Sequence, residues 1–266
     1  MGSVPESKLN ILMKAWPPGT VAVLPWLKEQ GVYQQLAYKY EQSSWIKRIG
    51  EGAYIRDGEI VPWTGGVYAL QSQLDLPIHV GGKTALAMNG FSHFLSPRGK
   101  TPVYLFSDPA TTRLPAWFRN HKWETKILHK MPHLFARSTK DSTLTTILVE
   151  RYELRVSSPE RAILEVLHLV PQEQSFVEAM HLMESLTSLR PDVVQSLLER
   201  CKSIKAKRLF LFLAEVTGQL WFCKLRLTKI DLGKGKRLIV KGGSFNAKYQ
   251  ITFPKELDDT EEAPEL

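Results

Sequence analysis

The sequence predicts an α+β protein in which an N-terminal winged helix-turn-helix is followed by a larger mixed α/β domain, with a helical segment and a C-terminal β-hairpin region. The first observation is the order helix, helix, hairpin within residues 20–56, which is the order that a winged helix requires. The second is the succession of apolar strand-like runs and amphipathic helices beyond it. We therefore predict a winged domain at residues 1–60, a second domain at 61–254 and an acidic, disordered tail at 255–266.

Three short helices are predicted in the winged domain. Apolar residues at helical spacing predict the first helix over residues 7–16. Thr20 is predicted to cap the second helix, which ends at Gly31, where a positive φ is easily adopted. The third helix is predicted over residues 33–43, and a hairpin with its turn at Glu51-Gly52 follows it.

The polar surface of the third helix suits DNA. Glutamine side chains can pair with adenine in the major groove, and lysine or arginine on the wing can contact phosphates. The alternatives are a helical subdomain with a solvated face, or a winged helix that contacts a protein. The predicted DNA contacts are Tyr33, Gln34, Gln35, Tyr38, Lys39, Gln42, Lys47 and Arg48.

The net charge of +8 and the pI near 9.4 favour a polyanionic partner. Residues 1–60 carry seven Lys or Arg against six Asp or Glu, whereas residues 98–156 carry eleven against five and residues 200–248 carry thirteen against two. Most of the basic surface is therefore expected outside the winged domain. The second basic surface is predicted to contain Lys83, Arg98, Lys100, Lys234, Lys236, Arg237 and Lys241.

Composition argues against several other classes of protein. Cys201 and Cys223 have no metal-ligand spacing and are too few for a disulfide framework. The N-terminus lacks the basic-then-apolar pattern of a signal peptide, and no apolar run is long enough to span a bilayer. We expect a cytoplasmic protein without a membrane partner.

Two parts of the sequence partly match enzyme motifs. Residues 81–84 match only the last half of a phosphate loop, because Pro77 stands where its first glycine is required. Asp108, Glu124 and Lys126 fit the Asp…Glu-x-Lys spacing of metal-dependent nucleases, in which the carboxylates hold Mg²⁺. That tripeptide is weak evidence, since residues 6–8 also match it. The sequence predicts no catalytic residue, no metal and no cofactor.

The second domain is predicted from local signals. Ser158, Pro159 and Glu160 mark the start of a helix, as N-cap, first-turn proline and first-turn acid. Glycine turns at 233–236 and 242–243, flanked by lysines, can approach a phosphate backbone closely or form a solvated hairpin. Further helices are predicted at about 176–186, 191–202 and 206–217, and strands at 77–80, 101–106, 145–149, 153–156, 224–230, 237–241 and 248–253.

Several short motifs, in order along the chain, resemble the AbiEi antitoxins. They are Gly52-Ala53-Tyr54 at the wing, HVGGKTAL at 79–86, SPERA at 158–162 and LGKGKR at 232–237. The resemblance spans most of residues 7–254. The chain departs from the family at Ser43-Ser44, where members often carry a basic residue and a glycine, and fewer phosphate contacts are expected from that corner.

The resemblance implies a repressor that binds double-stranded DNA at inverted repeats in its own promoter, through its winged helix and a basic second domain. It also implies an antitoxin that counteracts a nucleotidyltransferase toxin of the AbiEii type, encoded in the same operon, without forming a stable complex with it. The alternatives left open are a metal-dependent nuclease targeted by a winged helix, and a repressor whose second domain senses a ligand.

Overall fold

The computed structural model describes residues 7–91, 101–108, 113–135 and 143–255. The helices are α1 (Lys8–Ala15), α2 (Leu24–Glu29), α3 (Gln34–Gln42), α4 (Trp63–Tyr68), α5 (Gly82–Met88), α6 (Ala116–Asn120), α7 (Pro159–Leu169), α8 (Phe176–Ser185), α9 (Pro191–Arg200) and α10 (Ile204–Val216). The strands are β1 (Ala22–Val23), β2 (Ile46–Gly50), β3 (Ala53–Arg56), β4 (Ile78–Val80), β5 (Val103–Ser107), β6 (Ile127–Lys130), β7 (Leu144–Val149), β8 (Tyr152–Ser157), β9 (Ser244–Asn246) and β10 (Ile251–Phe253).

The described residues form two compact units. The first contains the described residues up to 80, those from 101 to 131, and residues 146–156; the second contains the others. In the described parts of the chain, no helix combines the length and the apolar character that crossing a bilayer requires.

The N-terminal part of the first unit is a winged helix. Three helices are followed by the antiparallel hairpin of β2 and β3, and β1 adds to β3 to give the sheet order β1-β3-β2. The hairpin turns at Glu51 and Gly52, and Gly52 has a φ of +66°, which glycine adopts without steric cost. The α+β class and the N-terminal winged helix-turn-helix are thus confirmed.

The predicted role of Thr20 is wrong. The chain runs extended through β1, where Ala22 pairs with Tyr54, and α2 begins only after Val23, which makes no side-chain capping bond. Thr20 is buried before that strand, and its hydroxyl donates to the carbonyl of Pro17 at 2.6 Å. A two-residue strand that pairs with a distant partner has no local sequence signature, so the helix start was placed too early.

The core of the winged helix is built from residues that the helical and strand periodicities place inward. A T-shaped contact between Trp16 and Trp26, with ring centroids 6.3 Å apart, lies at one side of this core. The buried cluster comprises Leu12, Trp16, Ala22, Leu27, Val32, Ala37, Ile46 and Tyr54. Each helix and strand of the module contributes to it, so the module's elements are fixed to one another.

The remainder of the first unit contains most of a five-stranded mixed sheet with the order β6-β5-β4-β8-β7. The side-chain amide of Gln73 joins it to the winged helix by accepting from the amide of Val23 and donating to the carbonyl of Val21, both at 2.8 Å. Residues on both sides of position 60 therefore belong to one unit. An independent domain ending at residue 60 stays a prediction.

Helices dominate the second unit. The buried helix α7 packs against α5, α8, α9 and α10, and its apolar positions are almost entirely removed from solvent. The helices predicted at 176–186, 191–202 and 206–217 appear as α8, α9 and α10. A short antiparallel hairpin of β9 and β10, in which Thr252 pairs with Phe245, ends the described chain and matches the predicted C-terminal hairpin region.

Two strand predictions in this unit are wrong. Residues 224–230 form 3-10 turns, and 237–241 contribute a single bridge from Arg237 to Ile251. In the first stretch the buried residues are Leu225 and Ile230, and a strand would place two residues five apart on opposite faces. The side chain of Gln195 accepts from the amide of Arg226 at 2.8 Å and so satisfies a backbone group that a sheet would otherwise pair.

Candidate nucleic-acid interface

Helix α3 has one face in the core and one face in solvent. Ala37 is buried, and Leu36 and Tyr40 pack beside it. On the other face Tyr33 and Tyr38 are 64% and 60% exposed. The polar residues predicted to contact DNA on this helix are likewise exposed: Gln34, Gln35, Lys39 and Gln42. The structure therefore brings the whole predicted set of this helix onto one accessible surface.

The wing adds the two predicted cations, both exposed. It also adds an exposed aromatic residue that the sequence prediction missed. Lys47 and Arg48 are exposed on β2, and Arg48 Nε donates to the carbonyl of Gly50 at 3.1 Å. Trp45 is 52% exposed, and its amide donates to the carbonyl of Tyr40 at 2.9 Å, which fixes the start of the wing to the end of α3. Strand alternation could have identified Trp45. Because Ile46 faces the core, the adjacent Trp45 is expected on the opposite, exposed face.

Helix α6 supports the wing. A Cβ atom on Gly50 would lie 2.6 Å from Trp117 Cβ, so glycine is required at this close approach. Arg119 and Lys122 are exposed just beyond Trp117, and residues 113–123 contain no Asp or Glu. Arg119 Nε donates to the carbonyl of Leu114 at 3.0 Å, which orients the side chain. Part of the basic block at 98–156 is thus attached to the wing.

The second predicted basic surface is only partly described. Lys234, Lys236 and Lys241 are exposed and Arg237 is half-buried, all in the stretch that precedes β9. The Lys236 ammonium lies 4.8 Å from the centroid of the Phe245 ring, a cation–π contact. Arg98 and Lys100 lie outside the described residues.

Lys83 is largely removed from solvent. Its side chain is 13% exposed, and Nζ lies 3.0 Å from Glu178 Oε1 in an ion pair. A phosphate contact from Lys83 would have to break that pair. The second basic surface therefore depends on its other cations.

The glycine turn at the start of α5 binds a carboxylate of the protein in place of a phosphate. The amide of Gly82, which a phosphate loop would offer to its ligand, donates to the buried Glu165 Oε2 at 2.9 Å. Glu165 also accepts from Ser157 Oγ at 2.9 Å and from Arg161 Nε at 2.9 Å. The motifs HVGGKTAL and SPERA therefore meet through a buried carboxylate, and their role here is structural.

Glu160 of the SPERA motif is buried and makes a second ion pair. Arg190 donates from Nε to Oε1 at 2.9 Å and from Nη2 to Oε2 at 3.0 Å. Burial raises the pKa of Glu160, but the hydrogen bonds from Arg190 outweigh it and lower the pKa to about 2. The carboxylate is therefore ionised at neutral pH and ties the start of α7 to the start of α9.

The nuclease hypothesis receives no geometric support. Both carboxylate oxygens of Glu124 accept from the amide of Trp63, at 3.1 and 3.2 Å, so Glu124 caps the start of α4. Within the described ranges, no group of three or more His, Cys, Asp or Glu side chains is arranged to hold a metal ion.

Comparisons with known proteins agree with these features. Residues 5–97 match the family model described as transcriptional regulator, AbiEi antitoxin N-terminal domain. Residues 100–254 match the model described as transcriptional regulator, AbiEi antitoxin, type IV TA system. A search of curated proteins gives no significant match.

One solved structure shares the fold. The crystal structure of the RV2827C protein from Mycobacterium tuberculosis matches with a TM-score of 0.57 at 14% identity, over 91% of this chain and 88% of that one. At that identity the likeness shows the fold alone. Since the two family models together span residues 5–254 with only a two-residue gap, the chain belongs to the AbiEi antitoxin family of transcriptional regulators of type IV toxin–antitoxin systems.

Proposed function

We propose that this protein is a DNA-binding autorepressor that recognises inverted repeats in its own promoter, and an antitoxin that counteracts a nucleotidyltransferase toxin encoded in the same operon. The observation that carries the proposal is the exposed outer face of α3, which is presented by a winged helix and flanked by the cations of the wing. Neutralisation proceeds without a stable complex between the two proteins, as the family resemblance implies.

The contacts divide by chemistry. Gln34 and Gln35, in the first turn of α3, supply the amide groups that pair with adenine. Lys39, Lys47 and Arg48 contact phosphates and set the position of the helix on the duplex. The exposed aromatic residues provide apolar contact with thymine methyl groups and sugars; these are Tyr33, Tyr38 and Trp45.

Residues 1–60 carry seven basic against six acidic residues, so the winged helix alone attracts DNA only weakly. Tight binding therefore needs phosphate contacts from other parts of the chain. Arg119 and Lys122, which the packing of Trp117 on Gly50 attaches to the wing, extend the footprint along the backbone of the duplex. Lys234, Lys236, Arg237 and Lys241 form the second basic surface, together with Arg98 and Lys100 of the sequence-based expectation. The proposal assigns no catalytic residue and no cofactor.

Substitution of the two glutamines tests base recognition. We expect Gln34→Ala and Gln35→Ala each to cost about 1–3 kcal/mol in binding to the promoter repeats and little in binding to random-sequence DNA, measured by fluorescence anisotropy. Gln172→Ala, at an exposed glutamine of the second unit, is the matched control and should leave both affinities unchanged. Equal losses on the two DNAs would show that these side chains do not read bases.

A further inference from the structure

A buried arginine holds the basic turn at 232–237 from inside. Arg208 on α10 is 2% exposed and donates from Nε to the carbonyl of Leu232 at 2.8 Å, from Nη2 to that of Gly233 at 3.1 Å and from Nη1 to that of Gly235 at 2.6 Å. A guanidinium has five donors in a fixed fork and no acceptor, so it can bind only the carbonyl side of the turn. Three carbonyls of the turn therefore point inward.

The amides on the other side of these peptide planes point away from Arg208. In a trans peptide the C=O and N–H groups point in opposite directions. The inward carbonyls of Gly233 and Gly235 thus turn the amides of Lys234 and Lys236 outward. Within the described chain, no acceptor is assigned to either of these two amides, whereas the amide of Gly233 donates to Asp231 Oδ1 at 2.8 Å.

Glycines with positive φ alternate with lysines along the turn. Gly233 and Gly235 have φ values of +61° and +76°. Lys234 and Lys236 are not among the described non-glycine residues with positive φ. In a turn, left-handed residues of this kind direct successive amides into one concavity, the arrangement called a nest, which binds anions.

Three positive residues lie in or directly after this turn. The exposed Lys234 and Lys236 belong to the turn itself, and Arg237 follows directly. The carboxylate of Asp231, which is the acidic group nearest in sequence, is already bonded to the amide of Gly233. Two outward amides with two flanking ammonium groups match a tetrahedral anion that carries several acceptor oxygens.

We propose that the Gly-Lys-Gly-Lys turn at 233–236 is a phosphate cradle, formed by the amides and side chains of Lys234 and Lys236 and shaped by Arg208. The inference rests on the proposed function for the identity of its occupant, which is a phosphodiester of the DNA backbone. It goes beyond a basic surface, because it assigns binding to backbone amides that depend on glycine at 233 and 235.

Amide chemical shifts test the cradle directly. The full chain, labelled with 15N, is titrated with a random-sequence DNA duplex and, separately, with inorganic phosphate at matched ionic strength. The cradle predicts that the duplex shifts the amides of Lys234 and Lys236. Shifts with inorganic phosphate but not with the duplex would overturn DNA as the occupant. No shift with either probe would overturn the cradle; if the side-chain amides of Gln34 and Gln35 still respond to promoter DNA, the proposed function survives that result.

A pair of glycine variants separates backbone shape from charge. Gly235→Ala removes no charge but disfavours the left-handed conformation at a φ of +76°. Gly218→Ala imposes the same strain at a φ of +65° outside the turn, where no atom lies within 4 Å of the added Cβ. We expect Gly235→Ala to weaken binding to the random-sequence duplex by about tenfold, and Gly218→Ala by less than about twofold. Equal effects of the two variants would contradict the cradle.

Discussion

At the scale of single residues, two buried carboxylates of α7 hold the fold. Glu165 binds the amide of Gly82 and Glu160 binds Arg190, so neither is available to a ligand. The residues proposed to act on DNA are instead those with exposed side chains on α3 and the wing. The buried carboxylates and the cations proposed to contact DNA are therefore different residues.

The ion pair between Glu160 and Arg190 predicts acid sensitivity. The folded-state pKa of Glu160 is about 2, below its ordinary value of 4.5, so its contribution to stability is present above about pH 4.5 and is lost as the pH falls towards 2. Glu160→Gln should lower the free energy of unfolding at pH 7 by about 2 kcal/mol, less than for a fully buried pair because the Arg190 side chain is 54% exposed.

Urea unfolding of wild type and Glu160→Gln at pH 7 and pH 3 measures this contribution. The difference between the two proteins should be smaller at pH 3 than at pH 7. Glu153→Gln, at an exposed glutamate, should match wild type at both pH values. A difference that is independent of pH would show that the substitution acts through packing and not through the charge.

At the scale of elements, the contact between the wing and α6 controls the position of the wing. Gly50→Ala would place a Cβ atom 2.6 Å from Trp117 Cβ and 2.9 Å from Trp117 Cα, and the backbone atom cannot move aside easily. We expect a loss of about 1–3 kcal/mol in the free energy of unfolding, together with weaker binding to the promoter repeats.

Gly31→Ala is the comparison for Gly50→Ala. It strains a left-handed residue with a φ of +77° but meets no atom within 4 Å, so it should destabilise through backbone strain without displacing the wing. Chemical shifts of β2 should move in Gly50→Ala only. Wild-type stability and wild-type wing resonances in Gly50→Ala would contradict the close approach.

The elements that sequence could predict are those with local signatures. Helix α3 has an apolar face and a polar face, and the wing has strand alternation around a glycine turn, so both elements were predicted, with Trp45 the exposed residue that was missed. The contact of Gly50 with Trp117 joins distant parts of the chain and leaves no local pattern. Arg208 could not be recognised either, because in the sequence it is one of thirteen basic residues at 200–248 and only its hydrogen bonds to the carbonyls of the turn distinguish it.

At the scale of the whole molecule, the distribution of charge predicts how salt affects binding. Each neutralised phosphate contributes roughly 0.9 to the slope of log affinity against log salt concentration. Replacing Lys234, Lys236 and Arg237 with Ala should flatten that slope by up to about three units and weaken all sequences alike. Replacing Lys202, Lys224 and Lys229 removes the same charge from exposed positions outside the turn and should change the slope much less.

The same two triple variants connect DNA binding with toxin neutralisation. Co-expression with the toxin, read out as growth, shows whether the basic turn serves that partner as well. A triple variant of the turn that keeps the wild-type slope but no longer protects cells would assign the turn to neutralisation. Retention of both properties would show that this surface only maintains solubility.

The central claim is that this protein recognises inverted repeats in its own promoter through α3. The most direct measurement compares the affinity of the full-length protein for the promoter region with its affinity for the same duplex in which the repeats are scrambled, at about 150 mM salt, where screening leaves base recognition dominant. We predict binding to the intact repeats at least about a hundredfold tighter, and a Gln34→Ala, Gln35→Ala double variant that loses most of this preference. Equal affinity of the wild-type protein for the two duplexes would contradict the claim.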